Sequence, residues 1–453
     1  MRLLYVTSEV HPFSKTGGLA DVAGALPVAL AKLGVRATVI SPWYSTLNGT
    51  PEVVGTLEVM VQGKPYPVRV GQIMRDGVQY VFLGSPSFAR DQPYGYPDDV
   101  ERFVRFCKAV PAAANLLEIT PDVVHLNDWQ TGLIAPMLRL NRMPNRLENA
   151  KIVYTIHNLQ YQGRWNPREV LEWSGLPQST VGLDGLEFYG DANLGKAGIN
   201  YSDEVTTVSP RYAQEVQTPE FGCGLEGVLS KKGVTGILNG IDTSYWNPAS
   251  DTHLTAHFSD FPGKTAARDA LIRELGLDRH KPILAMVTRL ADQKGLDLLL
   301  ETLPAVVQDW TLVVLGSGER LYMSIFETMR ALNSARVAFS GRFDEALAHR
   351  IYAGADAFLM PSQFEPCGLS QMISMRYGTV PIVRRTGGLA DTVPESRGYG
   401  FEPYTVKALT DTLARARAEF ATPAWSARVV AGMAGEYGWD TSAQAHVELY
   451  KGR

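Results

Sequence analysis

Short apolar runs recur along the chain, most of them rich in Val, Ile and Leu and bounded by turn residues. In the first half these are RLLYVTS, VRATVIS, VQYVFLG, DVVHLND, KIVYTIHN, DEVTTVS and VTGILNG. Helix-length stretches separate them, so the pattern predicts buried strands of a mostly parallel sheet. After ILNGIDTSYWNP, dense in turn-forming residues, the pattern restarts as PILAMVTR, TLVVLGSG, ARVAFSGR, ADAFLMPS and TVPIVRR, which predicts a second sheet. The Asn-Gly and Asn-Pro pairs between Asn239 and Pro248 place the boundary there. An α/β chain of two doubly wound domains follows, 1–240 and 241–433, with a closing helix over about 434–453 completing the first. Ligands are expected where strand ends converge, across a cleft between the two.

Length agrees, since 453 residues exceed what one ordinary core organises. A hydrophobic content of 45% with 20% charged residues is that of a globular chain. The net charge of -4 gives no global attraction to nucleic acid or an anionic membrane, so an anionic ligand needs locally placed cations and backbone N–H groups. The three cysteines, Cys107, Cys223 and Cys367, are spaced for neither a disulfide framework nor a zinc site, and a reducing cytoplasm is expected. The apolar run at the N-terminus is too short for a signal peptide, and no stretch approaches eighteen apolar residues.

The string TGGLAD stands twice, at 16–21 and at 386–391, each time after a predicted strand and a basic residue. The first copy follows the first strand of its domain and the second the fifth of its own, so shared chemistry explains the repetition better than duplication. Behind Lys15, Gly17 and Gly18 runs a helix with apolar positions Leu19, Val22, Leu26, Leu30 and Leu33. Its N-terminus offers free N–H groups to an anion, and the glycines allow close backbone approach. Arg384 and Arg385 precede the glycine turn of the second copy, Thr386, Gly387 and Gly388. Neither copy is G-x-G-x-x-G or a P-loop, which weakens an NAD-dependent oxidoreductase.

Arg289 and Lys294 lie just beyond the first strand of the second domain, where two cations can bridge a diphosphate. Glu365 occupies the loop after ADAFLMPS, before a helix opened by Gly368, Leu369 and Ser370; for Cys367 a buried structural role is favoured. His125, Asn127, Asp128 and Trp129, then His157, Asn158, Tyr161 and Trp165, follow two other strands and offer sugars both polar groups and flat apolar faces. A lone histidine is more often a core residue, and His157 is the better candidate of the two.

Together KTGGLADV, HLNDWQ, TIHNLQYQG, VTTVSPRYAQEVQTPEFGCGLEGVL, ILNGID, TRLADQKGLDLL, PSQFEPCGLSQM and RRTGGLADTV resemble the bacterial-type glycogen (starch) synthases over almost the whole chain, in order. The resemblance implies the GT-B fold, two Rossmann-like domains facing across a deep cleft. It also implies a metal-independent, retaining glucosyltransferase without cofactor that extends an α-1,4-glucan from ADP-glucose. By matching motif, Lys15, Gly17 and Gly18 would meet the donor, with Asp21 beside them. Arg289 and Lys294 would neutralise the diphosphate together with Cys367, Gly368, Leu369 and Ser370, and Thr386, Gly387 and Gly388 would also contact the donor. His157 would hold the transferring glucose, its carbonyl beside the oxocarbenium-like centre, and Glu365 would bind glucose hydroxyls. Asp128, Asn158 and Asn239 match positions around the glucose and the acceptor end, and Tyr94 matches a tyrosine that helps close the site. Eight positions after Glu365 stands Ile373, not a second glutamate, so a front-side displacement is expected rather than a double displacement.

Two departures from the family stand out: a short 90–99 loop, in which the alignment could move from Tyr94 to Tyr96, and Gly195 where a larger apolar residue is usual. UDP-glucose stays open as donor, because base choice rests on backbone contacts, and a non-catalytic glucan-binding protein is the remaining alternative. No nucleic-acid or membrane partner is implied, and the sequence assigns no oligomeric state.

Overall fold

The computed structural model describes residues 1–140 and 145–452. The chain divides into two compact units, Met1–Asn239 with Trp439–Arg453, and Gly240–Gly438.

Strands of the first unit are β1 (Arg2–Val6), β2 (Arg36–Pro42), β3 (Glu52–Val61), β4 (Lys64–Arg75), β5 (Val78–Gly84), β6 (Val123–Asn127), β7 (Lys151–Ile156), β8 (Arg164–Trp165), β9 (Glu187–Phe188), β10 (Asp191–Asn193), β11 (Glu204–Thr207) and β12 (Thr235–Gly236). The main sheet has the order β12-β11-β7-β6-β1-β2-β5-β4-β3, and β8, β10 and β9 form a small sheet of their own. β1 alternates across the main sheet. Leu4 and Val6 enter a core with the helix Asp99–Leu116, whereas Leu3 and Tyr5 enter one with the helix Gly18–Lys32 and with Trp439, Ala443, Val447 and Tyr450 from the end of the chain. Burial on both faces is why these strands read as unbroken apolar runs.

The antiparallel hairpin β3–β4, at one edge, is absent from the strands expected from sequence. Its residues are half exposed and alternate rather than run apolar, the signature of a wet-faced edge. Its tight turn, Gln62 and Gly63 with φ of 50° and 74°, is the two-residue kind that joins such strands. The expected strand VTGILNG shrinks to β12. The closing helix is Asp440–Tyr450, and Ala434 to Gly438 stay with the second unit. In the helix Gly18–Lys32, Leu19, Val22, Leu26 and Leu30 are buried, while Leu33 lies past its end and is exposed.

The second unit holds β13 (Ile283–Val287), β14 (Thr311–Leu315), β15 (Val337–Ser340), β16 (Ala357–Met360), β17 (Val380–Arg384) and β18 (Tyr399–Phe401). All are parallel, in the order β15-β14-β13-β16-β17-β18. Three-residue β18 is too short to carry a periodic signal. Both sheets are doubly wound: strand order reverses between β1 and β6 in the first and between β13 and β16 in the second. At such reversals the loops leaving the carboxyl ends of the strands run to opposite faces, which is where open α/β sheets bind ligands.

His125 is a core residue. Its Nδ1 meets the Tyr450 hydroxyl at 2.6 Å and its Nε2 meets Thr155 Oγ1 at 2.6 Å, which ties the closing helix to the sheet. Gly195 sits in the helix Leu194–Tyr201, and a Cβ there would meet Asn193 Oδ1 at 3.4 Å, the Gln162 carbonyl at 3.5 Å and Tyr154 Oη at 3.6 Å, ordinary contacts. Gly195→Ala is therefore expected to raise stability by about 0.4–1 kcal/mol through the unfolded chain's entropy. Urea denaturation checks this, and a destabilised variant would show that the position has no room.

Candidate active site

In the first unit the reversal between β1 and β6 brings three strand ends together. Asn127, wholly buried, donates from Nδ2 to the Val6 carbonyl (2.9 Å), and its Oδ1 accepts the Tyr5 hydroxyl (2.9 Å). The same oxygen meets His157 Nε2 at 2.8 Å. A carbonyl cannot donate, so the Val6 contact fixes the amide's orientation. His157 Nε2 therefore carries a proton and donates, leaving Nδ1 as an acceptor. Burial, and after it the charge of His446, push the His157 pKa down to about 3. The ring is a neutral, oriented acceptor, suited to a sugar hydroxyl and unsuited to act as an imidazolium acid.

Asp128 follows with φ 55° and ψ 179°, backbone that side-chain-bearing residues rarely adopt, at a cost of about 1–3 kcal/mol. This geometry turns its Oδ1 toward the backbone N–H of His157 (2.7 Å) and of Asn158 (3.5 Å), so Asp128, His157 and Asn158 form one cluster. Burial raises the Asp128 carboxyl to about 7 despite those two bonds. Asn158 Oδ1 accepts the Gln160 N–H at 3.1 Å. Asn239 and His157 line the same narrow pocket as Thr206 and His446.

Beyond β1, the Ser8 hydroxyl meets the Tyr94 hydroxyl at 2.7 Å. Tyr94 is held there by wholly buried Arg102, whose guanidinium bonds the Pro93 carbonyl and Asp99. Tyr96 turns instead to the Gln92 N–H and lies under the Arg90 guanidinium. Glu9, also buried, accepts the backbone N–H of Thr16 (2.5 Å) and the Thr16 hydroxyl (2.7 Å) on one oxygen, so a buried carboxyl anchors an exposed glycine loop. Lys15 pairs with Asp21 at 2.7 Å at the surface. A Cβ on Gly18, the first helical residue, would meet nothing within 4 Å, and one on Gly17 only Glu9 Oε1 at 3.8 Å. This backbone is open to approach.

In the second unit, Gly295 (φ 69°) ends the turn Asp292–Lys294, and a Cβ there would collide with the Pro361 carbonyl. Glycine thus lets the turn press on the end of β16. Lys294 Nζ then reaches Glu365 Oε2 at 2.7 Å, an oxygen that also accepts the Ser362 hydroxyl at 3.0 Å. Gln293 joins the rest: its Nε2 bonds the Phe364 carbonyl (3.2 Å), its carbonyl accepts the Gln363 N–H (2.9 Å), and its Oε1 lies 3.5 Å from the guanidinium of exposed Arg289.

The second TGGLAD copy is not a plain glycine turn but the start of a short helix, Gly387–Thr392, entered from the extended backbone of Thr386. Its glycines are required by packing. A Cβ on Gly387 would strike the Glu365 carbonyl, one on Gly388 would strike the Cys367 backbone, and the Gly388 N–H bonds the Glu365 carbonyl at 3.1 Å. Thr386, Gly387 and Gly388 are buried and brace the Glu365–Cys367 segment. Cys367 is buried, whereas Gly368 (φ 72°) and Leu369, just before the helix Ser370–Arg376, and its first residue Ser370 are partly exposed.

Residues 2–231 match the family described as the starch synthase catalytic domain, and residues 267–419 match glycosyl transferases group 1. A glycogen synthase from Deinococcus radiodurans is 50% identical over all of both chains, and one from Deinococcus deserti is 49% identical over 100% of this chain and 99% of its own. The chain belongs to the glycogen and starch synthase family. Its two α/β units are the GT-B architecture of these glycosyltransferases. The catalytic domain of starch synthase IV from Arabidopsis thaliana, solved with ADP and acarbose, superposes with a TM-score of 0.92 at 35% identity, covering 99% of this chain and 98% of that one. A sucrose-phosphate synthase from Thermosynechococcus elongatus, 20% identical with a TM-score of 0.65, shares the fold.

Within this glycosyltransferase, sequence reasoning missed Glu9, Gln293 and Ser362, and passed over Asn127 as one polar group among several. Glu9, Gln293 and Ser362 lie beyond β1, β13 and β16, and Asn127 is the last residue of β6; each looks like a surface residue in sequence. Their place at or just past the carboxyl ends of predicted strands was the usable signal.

Burial, the largest cause, raises the Glu9 carboxyl to about 7, above an unfolded value near 4.3. A raised carboxyl favours the folded state below the unfolded pKa, and that contribution is lost as pH rises through about 7. Glu9→Gln keeps the acceptor for Thr16 without the ionisation. Its melting temperature relative to wild type is therefore expected to rise between pH 5 and pH 8; an equal difference at both would contradict a buried, titrating Glu9.

Proposed function

We propose that this protein transfers glucose from ADP-glucose to the non-reducing end of an α-1,4-glucan, with retention and without a metal ion. The observation that carries the proposal is the cluster after β13 and β16, where Lys294 pairs with a buried, oriented Glu365 and Arg289 reaches Gln293, the residue next to Lys294. Two cations there match a diphosphate leaving group, and Glu365 offers its remaining lone pairs to sugar hydroxyls. The ADP bound by the Arabidopsis relative supports ADP-glucose as donor.

In the first unit, His157 Nδ1 accepts from a hydroxyl of the glucosyl group, and Asp128 and Asn158 hold the His157 carbonyl in place beside the developing positive charge. Lys15 and the open backbone of Gly17 and Gly18 meet the donor phosphates, with Asp21 releasing Lys15 to them. Asn239 and Tyr94 complete the glucose and acceptor end. Gly368, Leu369 and Ser370 present helix-start N–H groups to the phosphates, with Cys367, Thr386, Gly387 and Gly388 supporting that segment. With Ile373 eight positions after Glu365, no second carboxylate serves as nucleophile. The acceptor hydroxyl attacks the anomeric carbon on the face that the diphosphate leaves and gives its proton to a departing phosphate oxygen.

Glycogen incubated with labelled ADP-glucose or UDP-glucose in EDTA tests donor, activity and metal independence together. Label is expected in glycogen from ADP-glucose, unaffected by EDTA. Label from UDP-glucose alone would reassign the donor, loss of transfer in EDTA would contradict metal independence, and glycogen binding without transfer would make this a binding protein.

A further inference from the structure

The two-residue turn between β9 and β10 is Tyr189–Gly190, with φ of 49° and 89°. Turns with two positive φ values favour Asn, Asp or Gly at the first position. A tyrosine there costs roughly 1–2 kcal/mol in backbone energy, yet this ring is 79% exposed. Neither backbone economy nor burial explains it, and strain kept at an exposed aromatic points to a surface role.

The surroundings are built for the ring. Phe188 meets it edge-on at 4.8 Å. A second left-handed pair, Cys223 (φ 50°) and Gly224 (φ 81°), lies against it, and a Cβ on Gly224 would come within 2.9 Å of Phe188 and 3.4 Å of Tyr189. Arg164 stacks over Phe188 at 5.1 Å while bonding Asp191 at 2.8 Å, which places hydrogen-bonding groups beside the apolar faces.

This corner is wired to the segment that carries His157. Gln162 donates to the Cys223 carbonyl (3.1 Å) and to the Leu159 carbonyl (3.2 Å), and accepts Asn193 Nδ2 at 2.6 Å, on the strand that leaves the turn. Two more exposed rings stand on that segment, Tyr161 at 50% and Trp165 at 36%, and Trp165 pairs with Ala192 of β10. Flat exposed rings flanked by fixed polar groups are what a chain of sugars recognises: C–H faces stack and hydroxyls bond alongside.

We propose that the Tyr189–Gly190 turn, with Tyr161 and Trp165, is a stacking platform for a linear α-glucan, holding the acceptor chain away from the glucose being transferred. This rests on the glucan-extending activity proposed above, and Tyr189 is its decisive residue.

Tyr189→Asn suits the left-handed turn and is expected to fold at least as stably as wild type, so loss of the ring is tested without loss of the fold. Removing one stacking ring should raise KM for glycogen about three- to tenfold, with kcat and the KM for the nucleotide sugar held, and Tyr189→Trp should restore it. An unchanged KM for glycogen in Tyr189→Asn, or a fall in kcat without a change in KM, would overturn the platform. Native electrophoresis through glycogen-containing gels reads binding without catalysis. The platform predicts retardation of wild type and less of the Asn variant, and equal mobility of the two would refute it. If that difference holds in a protein that transfers no glucose, the proposed activity fails while the platform stands. If transfer proceeds and the variant behaves as wild type, only the platform fails.

Discussion

Asn127 is a single buried side chain on which the geometry of the first unit's site depends. Its amide joins the backbone of β1 to the end of β6 and presents one oxygen to the Tyr5 hydroxyl and the His157 ring. Because a carbonyl receives its nitrogen, the oxygen has one orientation, and from that follow the His157 tautomer and the free acceptor Nδ1. A leucine of similar size would fill the space, yet it would orphan the Tyr5 hydroxyl and the Val6 carbonyl and free the ring to turn. Next along the chain, Asp128 holds a strained backbone that its carboxyl compensates by gathering the N–H groups of His157 and Asn158. Orientation here is a property of several groups satisfied at once.

The second unit reaches a comparable result with glycines. Gly295 allows Lys294 to come beside Glu365, and Gly387 and Gly388 allow the short helix after β17 to brace the Glu365–Cys367 backbone. The repeated TGGLAD therefore has two physical explanations. At 16–21 the glycines leave the backbone open, whereas at 386–391 they let two segments of the same chain touch. One string starts a helix in both places, but space around the glycines decides what it is for.

Much of this was readable in advance. The parallel strands announced themselves as apolar runs because both of their faces are buried, whereas their order, and with it the two reversals, emerges only in the fold. The β3–β4 hairpin escaped because its alternation is that of a half-wet edge. Lys15, His157, Lys294 and Glu365 stood out through spacing and strand position. Glu9 and Asn127 did not, since burial of a polar side chain depends on what packs over it from distant sequence, and the strain at Asp128 and Tyr189 is a backbone property with no letter of its own. The edge-on pairing of Tyr189 with Phe188 depends on Gly224, 35 positions further along, a relation no local pattern carries.

The central claim is that His157, which we propose receives a sugar hydroxyl, is a neutral imidazole with a fixed tautomer. Nitrogen-15 NMR of histidine-labelled protein, with the His157 signals identified by their loss in His157→Gln, tests it directly. The account predicts a proton on Nε2, none on Nδ1, and no titration of either signal from pH 5 to pH 8. A proton on Nδ1, or both signals titrating near the ordinary histidine value of about 6.5, would contradict it.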